Sequence, residues 1–206
     1  MRVQSSDSYI NLLLPKTLSR HSVPDSERGL IQELSYGSLR WQLQYDAIID
    51  HFTKGKTLSE QVRGALQLGL HQLFRMRIPV HAAINETVNL AKTLEPKASG
   101  LVNAVLRNSE RAGLESLVEE ICRGSSETNR LAITYSHPAW VIEALRESMR
   151  LDGREHELTQ LLESNNETPE TYLAAADEAA AAALKHQGLE VSDQSPIGYA
   201  VDGNPE

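Results

Sequence analysis

A stripe of apolar residues at helical spacing is the feature that most constrains how this chain can fold. Five apolar residues stand at positions i, i+4, i+7, i+8 and i+11, so all of them lie on one face of an α-helix: Trp41, Tyr45, Ile48, Ile49 and Phe52. A second stripe of the same period runs from Leu58 to Leu73. Because no segment before about residue 163 shows the alternation of a β-strand, the sequence predicts an all-α bundle.

Proline and serine mark several predicted helix boundaries. Pro15 is expected to disturb the first helix, because it lacks an N–H donor. The S-x-x-D sequence from Ser22 to Asp25 is typical of the start of the next helix. Pro79 predicts the start of a later helix and Pro96 its end.

Two further signals concern packing. Gly69, inside the stripe from Leu58 to Leu73, is expected to permit a close contact between two helices. Ser136-His137-Pro138 predicts the start of another helix, with Trp140, Val141, Leu145 and Met149 as its apolar residues.

The composition changes after the segment Asn165-Asn166-Glu167-Thr168-Pro169, which is typical of a linker. Short strands are predicted at 171–175, 188–191 and 197–201, with an alanine-rich helix at 177–187 between the first two. The sequence therefore predicts a helical domain, a helical linker region and a short, incomplete α/β piece, which span residues 1–125, 126–166 and 167–206.

Charge is distributed unevenly along the chain, whose net charge is −8. Residues 1–111 carry 14 Lys and Arg against 10 Asp and Glu, a net charge of +4, whereas residues 112–206 carry 6 against 18, a net charge of −12. The second half is therefore a poor candidate for binding a phosphate backbone. No apolar run is long enough to span a bilayer and no secretory signal is present, so we expect a cytoplasmic protein.

The densest basic set is a candidate phosphate-binding patch, and it consists of Arg75, Arg77, Lys92, Lys97, Arg107 and Arg111. Arg107 and Arg111 stand one helical turn apart and share a face. The patch requires that the helix ends carrying these residues converge, and the alternative is charge on a solvated face. Arg40 near a helix junction either contacts RNA phosphates or pairs with acidic neighbours and helix carbonyls.

Other polar residues have simpler interpretations. His81 and Asn85, one turn apart, either bind a ribose or base edge or satisfy a helix end and a neighbouring loop. Asn103 is predicted to be a buried amide bonded to backbone. Cys122, the only cysteine, is predicted to be a structural thiol, and with one cysteine no disulfide or CxxC-type zinc cluster forms. No two glycines stand two positions apart, so no G-x-G loop exists.

Two segments resemble a known family. R-I-P-x-H-A-A-x-N-E-x-V over residues 77–88 and G-L-V-N-A-V-L-R over residues 100–107 resemble the NusB-like domain of bacterial 16S rRNA cytosine-C5 methyltransferases of the Sun or RsmB type. The segment Y-S-H-P-x-W over residues 135–140 and the linker E-x-N-N-x-x-P over residues 163–169 resemble the segments that follow this domain in the same enzymes. The likeness covers roughly residues 8–170.

The resemblance implies a helical RNA-binding module that positions 16S rRNA for a methyltransferase using S-adenosylmethionine. It implies one more helix before Ser8 and a catalytic domain after this chain, so the chain alone is expected to be non-catalytic and to hold no cofactor or metal. Residues 173–177 lack the arginine and asparagine that are typical of the strand after the linker. The residues expected to contact RNA are Arg40, Arg75, Arg77, His81, Arg107 and Arg111.

Two other functions remain as alternatives. The first is a free-standing transcription antitermination factor of the NusB type, which binds RNA and a ribosomal protein. The second is a helical interaction or dimerisation module that does not bind RNA, an alternative that the acidic second half of the chain keeps open.

Overall fold

The computed structural model describes residues 9–167, 171–191 and 198–201. Ten helices precede the first strand in this part of the chain: α1 (Ile10–Arg20), α2 (Asp25–Arg40), α3 (Gln42–Thr53), α4 (Glu60–Arg75), α5 (Val80–Leu94), α6 (Ser99–Ala112), α7 (Leu114–Ile121), α8 (Glu127–Tyr135), α9 (Ala139–Leu151) and α10 (Leu158–Ser164). They are followed by β1 (Thr171–Ala174), α11 (Glu178–His186) and β2 (Gly198–Val201). The prediction of an all-α bundle followed by a short α/β piece is confirmed.

The main core lies among helices α3 to α7. Its fully buried side chains come from the stripes that the sequence shows, and they include Tyr45, Ile48, Ile49, Leu66, Leu70, Val102 and Leu106. Helix α4 packs against α5, and α5 packs against α6. A Cβ atom at Gly69 would lie 2.8 Å from Oγ1 of Thr87 on α5, so the predicted close helix contact at Gly69 is confirmed.

Helices α8, α9 and α10 form a second apolar cluster, made by Leu131, Ile142, Leu158 and Leu162. Arg146 of α9 joins this cluster to α8, since its guanidinium donates to Oγ1 of Thr128 at 2.9 Å. The prediction that Trp140 belongs to the apolar face of α9 is wrong, because this side chain is 73% exposed. Ile142 is the buried residue, and two positions along a helix turn a side chain to the opposite side.

Residues 165–206 form a separate compact unit, and residues 1–164 form the first one. In the second unit β1 pairs antiparallel with β2, with Tyr172 opposite Ala200. The strand predicted at 188–191 is wrong, because Gly188 turns the chain at φ 83° and only Val191 makes an isolated bridge, to Tyr199. Ile197, the predicted start of the last strand, lies outside the described residues. The domain boundaries predicted at residues 125 and 166 stay predictions.

The predicted disturbance at Pro15 and the predicted helix start at Ser22 are also corrected. Helix α1 continues through Pro15, where only one backbone donor is lost and the hydroxyl of Ser19 donates to the Pro15 carbonyl at 3.0 Å. The prediction that Ser22 caps the start of the next helix is wrong. Helix α2 begins after Pro24, which occupies the position before the helix, and Ser22 instead adopts a left-handed conformation with φ 50°.

No helix in the described part of the chain combines the length and the apolar character that a membrane span requires.

Candidate nucleic-acid interface

A buried polar network joins α2, α3 and α4 beneath the candidate site. His71 is 1% exposed, and its ring lies between the hydroxyl of Tyr45, 3.0 Å from Nδ1, and Oε1 of Glu33, 3.2 Å from Nε2. A neutral ring that donates from Nε2 to Glu33 and accepts from the Tyr45 hydroxyl satisfies both contacts. The network therefore holds three helices together through one imidazole.

Burial lowers the pKa of His71. Glu33 opposes this effect, and the positive charges of Arg75 and Arg40 add to it. Burial also raises the pKa of Tyr45. The guanidinium of Arg75 lies on the ring of Trp41, the residue that follows Arg40, so the ends of α2 and α4 that carry the two arginines lie close together.

Arg75 is held in place by aromatic and polar neighbours. Its guanidinium carbon lies 3.2 Å from the ring centroid of Trp41, and Nη2 donates to Oε1 of Gln44 at 2.9 Å. Gln44 is 2% exposed, and its Nε2 donates to the carbonyls of Ile133 and Thr134 on α8 at 3.3 and 3.0 Å. Arg75 therefore has partners within the protein, and its proposed contact with RNA stays a prediction.

All six residues predicted to bind RNA are exposed, including Arg75, whose guanidinium is stacked on Trp41. Arg77 follows the last residue of α4 by two positions, and His81 lies in the first turn of α5. Helix α6 ends at Ala112, two residues before Leu114, which lines the same cleft as Arg75. Residues 76–79 join α4 to α5, residues 95–98 join α5 to α6, and both helix pairs pack together, so the end of α4, the start of α5 and the end of α6 lie at one end of the bundle. We call this the basic end, and it consists of Arg40, Arg75, Arg77, His81, Arg107 and Arg111.

The remaining two members of the basic set lie elsewhere. Helix α5 runs away from Arg77, so Lys92 in its last turn and Lys97 in the following 3-10 turn lie at the other end of this helix. At 1.5 Å per residue, the 15 residues of α5 span about 22 Å. The six basic residues of the set therefore do not form one patch.

Several arginines of the basic end carry unpaired charge. Within the described ranges, no carboxylate lies within 4.0 Å of the guanidinium nitrogens of Arg40, Arg77 or Arg111. Arg107 bonds only a neutral group there, because its Nε donates to Oδ1 of Asn103 at 3.1 Å. The prediction of a buried Asn103 bonded to backbone is wrong, because this residue is only half-buried and its side-chain oxygen accepts from Arg107.

A cleft of about 530 Å³ opens beside the basic end, between α4, α7 and α8. Arg75 and Arg130 line it together with two carboxylates, Glu115 and Glu119. Cys122 also lines it and is buried, as predicted for a structural thiol, and burial raises its pKa while Arg130 opposes that rise.

The sequence analysis missed this cleft, although one signal was present. Glu115, Val118, Glu119 and Cys122 stand at i, i+3, i+4 and i+7 and share one face of α7. The packing of α8 against α3, which brings Arg130 and Thr134 to the cleft, has no such signal. Among the described residues no group of three or more His, Cys, Asp or Glu side chains is placed to hold a metal ion.

Comparison with known proteins identifies this fold. A model of the NusB family matches residues 2–111. Ribosomal RNA small subunit methyltransferase B of Pseudomonas putida is 38% identical over 147 residues, which are 70% of this chain and 32% of that protein. The proteins of the same name from Pseudomonas syringae pv. tomato and Erwinia tasmaniensis are 39% identical over 147 residues (70% of this chain, 31% of that protein) and 32% identical over 174 residues (83% and 37%). The chain thus spans about a third of the length of these relatives.

Proposed function

Because the chain belongs to the NusB family, we propose that it is the RNA-binding, substrate-positioning module of a 16S rRNA cytosine-C5 methyltransferase. The names of its relatives support this assignment. The similarity to the Erwinia protein extends over 174 residues, well past the 2–111 range of the family match, which favours the methyltransferase module over a free-standing antitermination factor.

The basic end is the observation that carries the proposal. Arg40, Arg77 and Arg111 are exposed at one end of the bundle without a carboxylate partner in the described ranges. Guanidinium groups in this state are available for phosphate oxygens, to which they donate two parallel hydrogen bonds. Neutralising phosphates releases counterions, so the affinity is expected to depend steeply on salt.

Arg75 contributes to this surface in a different way. Its guanidinium is stacked on Trp41 and bonded to Gln44, so it presents a positive charge whose position is already set. A donor that is already fixed loses little conformational entropy on binding. Arg75 therefore serves to set the position of the RNA along the surface. His81, exposed in the first turn of α5, lies beside the same surface.

S-adenosylmethionine, the methyl donor of such a reaction, does not fit the residues that the structure describes. The described strands form an antiparallel pair, whereas nucleotide-type cofactors bind at a glycine-rich turn between a parallel strand and a helix. The sequence has no two glycines two positions apart. In our proposal the chain binds and positions RNA, and another part of the enzyme holds the methyl donor.

A salt-dependent titration tests the proposal. The purified chain is titrated with a labelled 16S rRNA helix and with a scrambled RNA at about 50 and about 200 mM salt. We expect tighter binding to the rRNA helix, weakened by salt. The double charge reversal Arg77→Glu/Arg107→Glu should weaken binding at least about tenfold and reduce the salt slope by about 2.

Lys92→Glu/Lys97→Glu is the matched control, since it makes the same charge change about 22 Å away along α5. Screening over that distance should keep its effect below about threefold. Equal losses in both double variants, or no binding at the lower salt concentration, would contradict RNA binding by the basic end.

A further inference from the structure

Resting on the proposed function, we propose that the cleft between α4, α7 and α8 receives an unpaired guanine nucleotide of the bound RNA. The cleft measures about 530 Å³, which lies within the range of small-molecule sites, about 300 to 1,000 Å³. Arg75 of the basic end lines the cleft. An RNA strand that contacts Arg75 therefore lies beside the cleft.

The two walls of the cleft carry opposite charges that do not pair. Glu115 and Glu119 project from one wall, one turn apart on α7, and Arg130 projects from α8. Within the ranges that the structure describes, no ion pair of 4.0 Å or less involves any of these three side chains. A ligand that offers donors to one wall and acceptors to the other would satisfy both.

Arg75, the second arginine of the lining, is held in position before any ligand binds. Gln44, itself buried, bonds both Arg75 and the backbone of α8, and so fixes α4 relative to α8. Arg75 also stacks on Trp41. Such support reduces the entropy lost when a ligand binds.

Guanine is the base whose edges match these walls. Its N1–H and N2–H₂ groups form adjacent donors for a carboxylate, and its O6 and N7 atoms are adjacent acceptors for an arginine. Uracil has no amino group and offers no such donor pair to the carboxylates. The side chains of Val118 and Cys122, on the same face of α7, supply the less polar part of the lining.

Two single-stranded RNAs that differ only at one central nucleotide, guanosine or uridine, test the proposal. We expect the chain to prefer the guanosine RNA by about tenfold, in line with one good bidentate base contact. The variant Glu115→Gln/Glu119→Gln should lose this preference while it binds the uridine RNA equally well or more tightly, since two negative charges near phosphates are removed. A merely electrostatic role of the glutamates predicts an equal gain for both RNAs and would overturn the proposal.

Glu86→Gln/Glu110→Gln is the matched control, because both glutamates are exposed and neither lines the cleft. This variant should keep the guanosine preference. Equal loss of the preference in both double variants, or no preference in the original chain, would overturn the guanine site while leaving salt-dependent RNA binding intact.

Free GMP and UMP separate this inference from the proposed function. Trp41 lies against Arg75, so its emission, read in a Trp140→Phe background, reports ligands in the cleft. GMP should change this emission at concentrations about tenfold lower than UMP, and Arg130→Gln should weaken the GMP response about tenfold. This result would support the cleft even if no rRNA helix bound the chain. Equal responses to GMP and UMP, or a response only to a short peptide with neighbouring Arg and Glu residues, would overturn it.

Discussion

Gly37 of α2 lies directly against the ring of His71 of α4. A Cβ atom at Gly37 would overlap Nε2 and Cε1 of His71, an approach closer than any side chain tolerates. The imidazole is at the same time bonded to Tyr45 and Glu33, so it has no free direction in which to move. The contact between these two residues therefore sets the distance between α2 and α4 beneath the basic end.

Gly37→Ala is expected to destabilise the chain by about 2 kcal/mol or more, because overpacking a contact with a fixed ring forces a backbone shift. The matched control is Gly29→Ala in the same helix, where nothing lies within 4 Å of the new Cβ. Helix propensity should make that variant more stable by about 0.5 to 1 kcal/mol. Urea unfolding of both variants measures the difference, and two changes of the same sign would show that the Gly37–His71 contact is not tight.

Stability should fall as the pH decreases below the unfolded-chain pKa of His71, which is 6.5. Burial lowers the pKa of the folded His71, so the unfolded chain binds more protons in this window. The stabilisation is therefore present above pH 6.5 and is lost as the pH falls toward the lower folded pKa. Urea unfolding at pH 7.5 and 5.5 should show a smaller difference for His71→Gln than for the original chain. His81→Gln, at an exposed histidine, should leave the difference unchanged. The same difference in stability between pH 7.5 and 5.5 in all three proteins would argue against a contribution of His71 to the pH dependence.

Arg75→Lys is expected to destabilise the chain by about 1 to 2 kcal/mol although the charge is kept. An ammonium group cannot both stack flat on Trp41 and donate to Gln44, and Gln44 would be left with an unsatisfied buried oxygen. Trp41 emission should change at the same time. Arg77→Lys, at an exposed arginine of the same end, provides the comparison and should change stability by less than about 0.5 kcal/mol. Equal thermal stability of the Arg75 variant and the original chain would show that Arg75 has no structural role.

Gly69→Ala should destabilise the contact between α4 and α5, because the new Cβ would lie 2.8 Å from both Cγ2 and Oγ1 of Thr87. Thr87→Ala alone should cost about 1 kcal/mol, since it removes a bond of 2.7 Å to the Ala83 carbonyl. The double variant should be more stable than the sum of the two effects predicts, by about 1 kcal/mol, because alanine at 87 removes the clash. Strict additivity in this double-mutant cycle would show that a side chain at position 69 does not clash with Thr87.

Much of the helical fold could be predicted from local patterns. The stripe that contains Tyr45 and Ile48 predicts a buried face because apolar residues at helical spacing remove area from water only when that face packs. The signals failed where two local rules competed. Ser22 has the chemistry of a helix cap, yet Pro24 already takes the extended conformation that the position before a helix requires.

The candidate site was only partly predictable. The charges of Arg77, Arg107 and Arg111 are visible in sequence, and their exposure follows from their polarity. The separation of Lys97 from this group depends on the direction in which α5 runs. The cleft beside the basic end depends on which helices meet, and Arg130 reaches it from a helix that follows α4 by more than 50 residues.

The sequence by itself determined the helices, their apolar faces, the concentration of positive charge in the first half and the resemblance of two segments to one family. These properties depend on residues within a few turns of each other, where hydrogen bonding and side-chain periodicity act locally. Only the tertiary structure decided that Arg75 is stacked on Trp41, that His71 is buried between Tyr45 and Glu33, and that Glu119 and Arg130 face one cleft. Such contacts join residues far apart in the chain, and their free energy exists only after the helices have packed.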